Sequence, residues 1–134
     1  MRILTYHTAR KSGLMAVAAA LLSGCTDYHD LTAPTHDCAT HASVQIKSSS
    51  GTFAISGPCE TVLVSGSGNK LTVARAKAVE VRGDNNTVAV EATDDIAIRN
   101  GSRNTVTYLN GLKGSGPNCL IQGSTDNVCE RRRS

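Results

Sequence analysis

Few groups in this chain of 134 residues could carry chemistry, and the densest set is His36-Asp37-Cys38-Ala39-Thr40-His41. Two imidazoles and a thiol so close together are the donor types that zinc takes in a tetrahedral shell. The competing use of Cys38 is a disulfide, which is the preferred reading, so no metal site and no cofactor is expected. A second set is Asp94, Asp95 and Arg99, two carboxylates near a guanidinium. Bond cleavage needs a nucleophile beside a base, or two carboxylates facing one bond. Neither is visible in the spacing, so these aspartates are read as corner residues and no catalytic residue is assigned. Calcium is disfavoured because the turns lack the G-G-x-G-x-D nonapeptide that spaces carboxylates for it.

The first 24 residues read as an export signal. Arg2, Arg10 and Lys11 make a basic start, Leu14 to Leu22 is apolar, and Leu22-Ser23-Gly24-Cys25 closes the run. The apolar run is shorter than the roughly 20 residues that a membrane-crossing helix needs. Leu22-Ser23-Gly24-Cys25 resembles the lipobox of bacterial lipoproteins, which implies acylation of Cys25 and attachment to membrane lipid, each buried methylene contributing about 0.8 kcal/mol. Residues 25–40 lack apolar periodicity and are expected to form a flexible stalk. With Cys25 set aside, four cysteines remain, an even number that suits disulfides outside the cytoplasm. Of the three possible pairings, Cys38 with Cys59 and Cys119 with Cys129 is preferred, because it staples the two ends of the domain.

Positioning these groups falls to a repeat. Gly66-Ser67-Gly68-Asn69-Lys70-Leu71-Thr72-Val73 recurs as Gly83-Asp84-Asn85-Asn86-Thr87-Val88-Ala89-Val90 and again as Gly101-Ser102-Arg103-Asn104-Thr105-Val106-Thr107-Tyr108. Short alternating runs precede each copy: Val62 and Val64, Val79 and Val81, Ile96 and Ile98. Weaker copies flank them, with Gly111 to Pro117 read as an inserted loop. The period of two within each unit predicts strands, and no unit this short can bury its own apolar face. Stacking on neighbours is the physical solution. The expected fold is therefore all-β: a short single-domain β-solenoid, or parallel β-helix, of about five coils of 17 or 18 residues spanning 41–130. The alternative is an antiparallel β-meander with glycine turns at the hairpin tips. In the solenoid, Asn69, Asn86 and Asn104 fall on equivalent corners as a structural ladder, Asp126 takes that place in the last unit, and Gly66, Gly83 and Gly101 supply positive φ. Lys47, Arg82 and Arg99 form an outward stripe interrupted by Ser65, a possible interaction surface for an envelope polymer or protein.

The repeats resemble those of small bacterial lipoproteins and secreted proteins that carry the domain of unknown function 3060, built on units close to G-S-G-N-T-V-x-V. The similarity covers Val44 to Val128, with departures at Lys70, Asp84-Asn85 and Arg103. It implies an extracytoplasmic β-rich repeat domain and brings no activity with it.

Charge narrows the partners. Without Arg2, Arg10 and Lys11 the chain holds 11 basic and 11 acidic residues, and three of the basic ones are Arg131, Arg132 and Arg133 in the tail at 131–134. A nucleic-acid partner would require a basic face, which is missing. Sugar stacking has only Tyr28, Phe53 and Tyr108 to draw on beyond the signal. The expectation is a non-enzymatic envelope lipoprotein with an interaction module facing the periplasm or cell exterior. An envelope enzyme or binding domain acting on cell-wall or extracellular polysaccharide is the alternative.

Overall fold

A computed structural model describes residues 27–122 and 125–133. The expected export signal at 1–24, Cys25, Gly123 and Ser134 lie outside the described residues. Among the described residues nine strands succeed one another: β1 (His29–Asp30), β2 (Thr35–Asp37), β3 (Ser43–Ile46), β4 (Thr52–Val64), β5 (Lys70–Val81), β6 (Thr87–Ile98), β7 (Thr105–Asn110), β8 (Asn118–Ile121) and β9 (Val128–Arg131). Every pairing between them is parallel. The chain is a β-solenoid, and the antiparallel meander is excluded. Each long strand bends midway and so contributes two arms to its coil. First arms stack as β2, β4, β5, β6, β7 and β9, and second arms as β1, β3, β4, β5, β6 and β8.

Coil length is set by the register. Thr52, Lys70, Thr87 and Thr105 lie one above another, at steps of 18, 17 and 18 residues. The step from Thr105 to Val128 is longer because the loop around Gly111 to Pro117 leaves the stack between them.

Alternation sends every second side chain inward, so the core is a set of ladders. One runs Val44, Val62, Val79, Ile96, Cys119, and its neighbour Ile46, Val64, Val81, Ile98, Ile121. On the facing arm run Phe53, Leu71, Val88, Val106, Cys129 and Ile55, Val73, Val90, Tyr108, Arg131. The interior members of all four are almost fully buried, apart from Tyr108, which is half-buried. Burial of each such side chain is worth about 1.5–3 kcal/mol, which no single coil could collect without a neighbour above and below.

Two boundaries differ from expectation. Residues 29–37, expected as stalk, form β1 and β2 and add a first coil, with Leu31 buried and its amide donating to the Gln45 carbonyl at 2.8 Å. Strands of two and three residues are too short to display a period, which hid them. At the other end Arg131 belongs to β9, and Arg132 donates its amide to the Tyr108 carbonyl at 2.6 Å, so the basic run is partly folded rather than a free tail.

Candidate functional site

The corners show how the repeat is held. Asn69 donates Nδ2 to the Ser48 carbonyl (2.7 Å), Asn86 to Gly66 (2.9 Å), Asn104 to Gly83 (2.7 Å) and Asn127 to Gly101 (3.0 Å). Each Oδ1 in turn accepts the backbone amide of the coil before: Gly51 to Asn69 at 2.9 Å, then Asn69 to Asn86, Asn86 to Asn104 and Asn104 to Asn127, all at 3.0 Å. The last rung is thus Asn127 and not Asp126. Asp126 instead takes the preceding corner position, where φ is positive, with Ser50, Gly68, Asn85 and Arg103. Asparagine and aspartate tolerate that conformation, so Asp126 mimics Asn85 and not Asn86.

Gly66 and Gly83 also differ from expectation, since positive φ is confined to Gly101 among the three. Their requirement is close approach: a Cβ on Gly66 would stand 1.8 Å from the Ser48 carbonyl oxygen, and one on Gly83 would stand 1.9 Å from that of Gly66. These are the carbonyls that accept the ladder amides. Glycine lets the next coil come near enough for the asparagine to reach over.

The other sites named from sequence resolve into local structure. Asp94 accepts the Leu112 amide (3.0 Å) and pairs with Lys113, while Asp95 accepts from Asn118 Nδ2 (3.1 Å). Both carboxylates therefore hold the inserted loop. Lys47, Arg82 and Arg99 do share one stripe, but Asp30 lies 3.2 Å from Lys47, and Glu80 lies 2.6 Å from Arg82 and 3.2 Å from Arg99. Compensated charge of this kind attracts a polyanion weakly. The cysteines pair as Cys38–Cys59 and Cys119–Cys129.

One cluster stands apart. Through the register, His29 occupies the inward position above Val44, and His36 the inward position above Ile55 on the opposite arm. Their rings consequently meet across the first coil, with centroids 5.4 Å apart. His41 joins them, 4.0 Å from His29 and 6.1 Å from His36. The backbone that carries them is well tied. Asp37 Oδ1 accepts the Ala39 amide (2.9 Å), the Asp37 carbonyl accepts from Thr40, and Cys38 is pinned by its amide to Ser56 and by its sulfur to Cys59. Removing Cys38 into a disulfide leaves the local zinc motif without its thiol, and His29, from outside that motif, supplies a third imidazole. The signal for His29 is the spacing His29-x-Leu31, which copies Val44-x-Ile46, but in a polar setting it does not read as a strand. In the present rotamers the rings of His29 and His41 stack at 8°, and no set of three His, Cys, Asp or Glu side chains among the described residues gathers its ligating atoms for a metal.

Fold and corners together define the class: a small parallel β-solenoid with an internal asparagine ladder and a disulfide near each end. Within it, residues 46–103 match the model of a family described as protein of unknown function (DUF3060). That segment covers the corners of Asn69 and Asn86 and stops one residue short of Asn104. No curated protein and no solved structure matches the chain.

Proposed function

We propose that the chain is a non-enzymatic lipoprotein of the cell envelope, exported by residues 1–24, anchored in membrane lipid through acylated Cys25, and presenting its solenoid to the periplasm or cell exterior as an interaction module. The observation that supports this reading is the position of the first strand. Only Thr26, Asp27 and Tyr28 separate Cys25 from β1. At no more than about 3.6 Å per residue, this tether holds the first coil within about 15 Å of the anchored cysteine. The last coil then lies at the far end of the stack. Its Leu120, Ile121 and Val128 are exposed large apolar side chains, and among the described residues β8 pairs with β6 alone and β9 with β7 alone. Open strand edges accept an extended segment by backbone hydrogen bonding. Arg131, Arg132 and Arg133 beside them favour an acidic one, so the partner proposed is an envelope protein with an acidic extended segment.

Metabolic labelling with a radiolabelled fatty acid tests the anchor. Label should enter the wild-type chain and be lost in Cys25→Ala; equal labelling of both removes the lipoprotein reading. A photo-crosslinker at position 120 tests the module. Crosslinks should map to an acidic extended segment of one protein and disappear when Ile121→Lys is added, whereas crosslinks unaffected by that change argue against this edge.

A further inference from the structure

We infer that the open edges of the last coil take the first coil of a second copy of this chain, so that copies join head to tail into one continuous solenoid. The inference rests on the reading that β8 and β9 receive an acidic extended segment, and it names that segment as residues 27–37 of the next copy. Among the described residues the stack opens on β1, a second arm with no first arm in its coil, and closes on β9, a first arm with no second arm. Each end is thus half a coil. Set against one another, β9 of one copy and β1 of the next make up a whole coil, with β1 lying along β8 and β2 along β9.

The backbone groups match across this joint. In a parallel ladder alternate residues turn their amide and carbonyl to opposite neighbours. On β9 the amides of Val128 and Arg132 donate to Asn104 and Tyr108 at 2.8 and 2.6 Å, so Cys129 and Arg131 face the open side. On β2 the Pro34 carbonyl accepts from the Ala54 amide at 2.8 Å, so Thr35 and Asp37 face the open side. Continuing the interior register sets His36 of the second copy on Arg131, flanked by Thr35 and Asp37, and each outward amide meets a carbonyl. Pro34, which has no N–H to give, turns to β4 of its own chain and leaves no gap in the joint. The second arms agree: Gln122 donates to Ile98 at 2.7 Å and Leu31 to Gln45 at 2.8 Å, which turns Cys119 and Ile121 on one end and Asp30 on the other toward each other.

Side chains match in the same register. Leu31 of the second copy falls on Ile121 and covers a side chain left in water by a single copy. Asp37 falls on Arg132, and the Arg131 guanidinium meets the ring of His36, a face on which it can stack. The charges of the two ends are opposite. Asp27, Asp30 and Asp37 stand at the first coil, with Lys47 on Asp30, and Arg131, Arg132 and Arg133 stand at the last beside Glu130. Among the described residues none of these three arginines pairs with a carboxylate. A head-to-tail contact that does not close by rotation extends as a filament. With each first coil held near its own anchored cysteine, such a row lies along the membrane.

A photo-crosslinker at position 120 of the full chain, activated in the membrane, reads the joint. Species at whole multiples of the chain mass are expected, with the crosslinks mapped to residues 29–31 of a second copy. Asp37→Arg and Arg132→Asp should each lower the yield about tenfold or more by setting like charges together, and the two combined should restore it. Asp37 also holds the Ala39 amide, so Ile121→Lys, at a position nearly half in water, is the variant that spares the fold and should lower the yield as much. Melting transitions report the folding of every variant. Crosslinks confined to a different envelope protein overturn the second copy and leave the edge as an acceptor of an acidic segment, whereas no crosslink of any kind overturns both. Unchanged yield in a folded Arg132→Asp or Ile121→Lys chain also overturns the joint.

Discussion

The two ends of the solenoid finish its ladders with different residues. At the first coil the inward positions are His29 and Leu31 on one arm and His36 on the other, and Leu31 is only 4% exposed. At the last coil they are Cys119, Ile121, Cys129 and Arg131, and Ile121, on the ladder that Leu31 begins, is 46% exposed. One end is therefore sealed over the core by an aliphatic side chain and a lid of imidazoles. The other is closed by a disulfide that spans the two arms, and it leaves an apolar margin in solvent; among the described residues the outermost strands at both ends, β1 and β2 as well as β8 and β9, pair on one side alone. Repeat proteins need their terminal coils capped, and the end whose cap leaves Leu120, Ile121 and Val128 exposed is the one available for apolar contact.

The contrast is sharpest at the corners, where an interior rung can be set against the terminal one. Asn86 is buried, and its replacement by leucine strands two backbone groups, the Asn69 amide and the Gly66 carbonyl. At about 1–3 kcal/mol for each unsatisfied group, Asn86→Leu should destabilise the domain by about 2–6 kcal/mol in a urea melt. Asn127 is half-buried, and water can replace its bonds, so Asn127→Leu should cost less than half as much. Equal losses would mean that the last coil is as closed as the middle ones.

These corners also show what the residues disclose unaided and what they do not. The copies at Gly66, Gly83 and Gly101 carry a glycine, an asparagine and an alternating pair at one spacing, so coil length, inward ladders and the Asn69, Asn86, Asn104 column are all readable. The rung at Asn127 is displaced onto Asp126 in the sequence reading because the loop after Asn110 breaks the spacing, and two polar residues of similar type stand side by side. The first coil escapes it because its register depends on hydrogen bonds to β3 and β4 and not on any pattern of its own. The histidine cluster escapes with it: His29 comes near His36 and His41 only once the coil is closed. Asp94 and Asp95 look like chemistry because their loop partners, Leu112 and Asn118, are distant in sequence.

Opposite ends of one ladder give the second comparison. Leu31→Ala empties a buried position over Ile46 and should cost about 2–5 kcal/mol, the range for large-to-small changes in a core. Ile121→Ala removes a side chain that is nearly half in water already, so the loss should be smaller, under about 1.5 kcal/mol. Melting temperatures of the two variants suffice as the measurement. If Ile121→Ala matched Leu31→Ala, the apolar margin of the last coil would be covered in the free protein and could not serve as a contact surface.

The smallest difference separates the two disulfides. Cys38–Cys59 closes a segment with a sequence separation of 21, and Cys119–Cys129 one of 10. If loop-closure entropy in the unfolded chain dominates, each bridge stabilises by about 3 kcal/mol, and the first exceeds the second by only about 0.6 kcal/mol. Loss of one bridge or the other should nevertheless loosen a different part of the stack. Cys38→Ser with Cys59→Ser frees the backbone beneath the imidazoles and buries two hydroxyls where sulfur had been nearly inaccessible, so amide exchange should rise over residues 29–41. Cys119→Ser with Cys129→Ser unlinks the two arms of the last coil, and exchange should rise over β8 and β9 while β5 and β6 stay protected. Exchange spreading evenly through all coils in either variant would show that the ends do not open separately from the middle, and that the solenoid folds and unfolds as one unit.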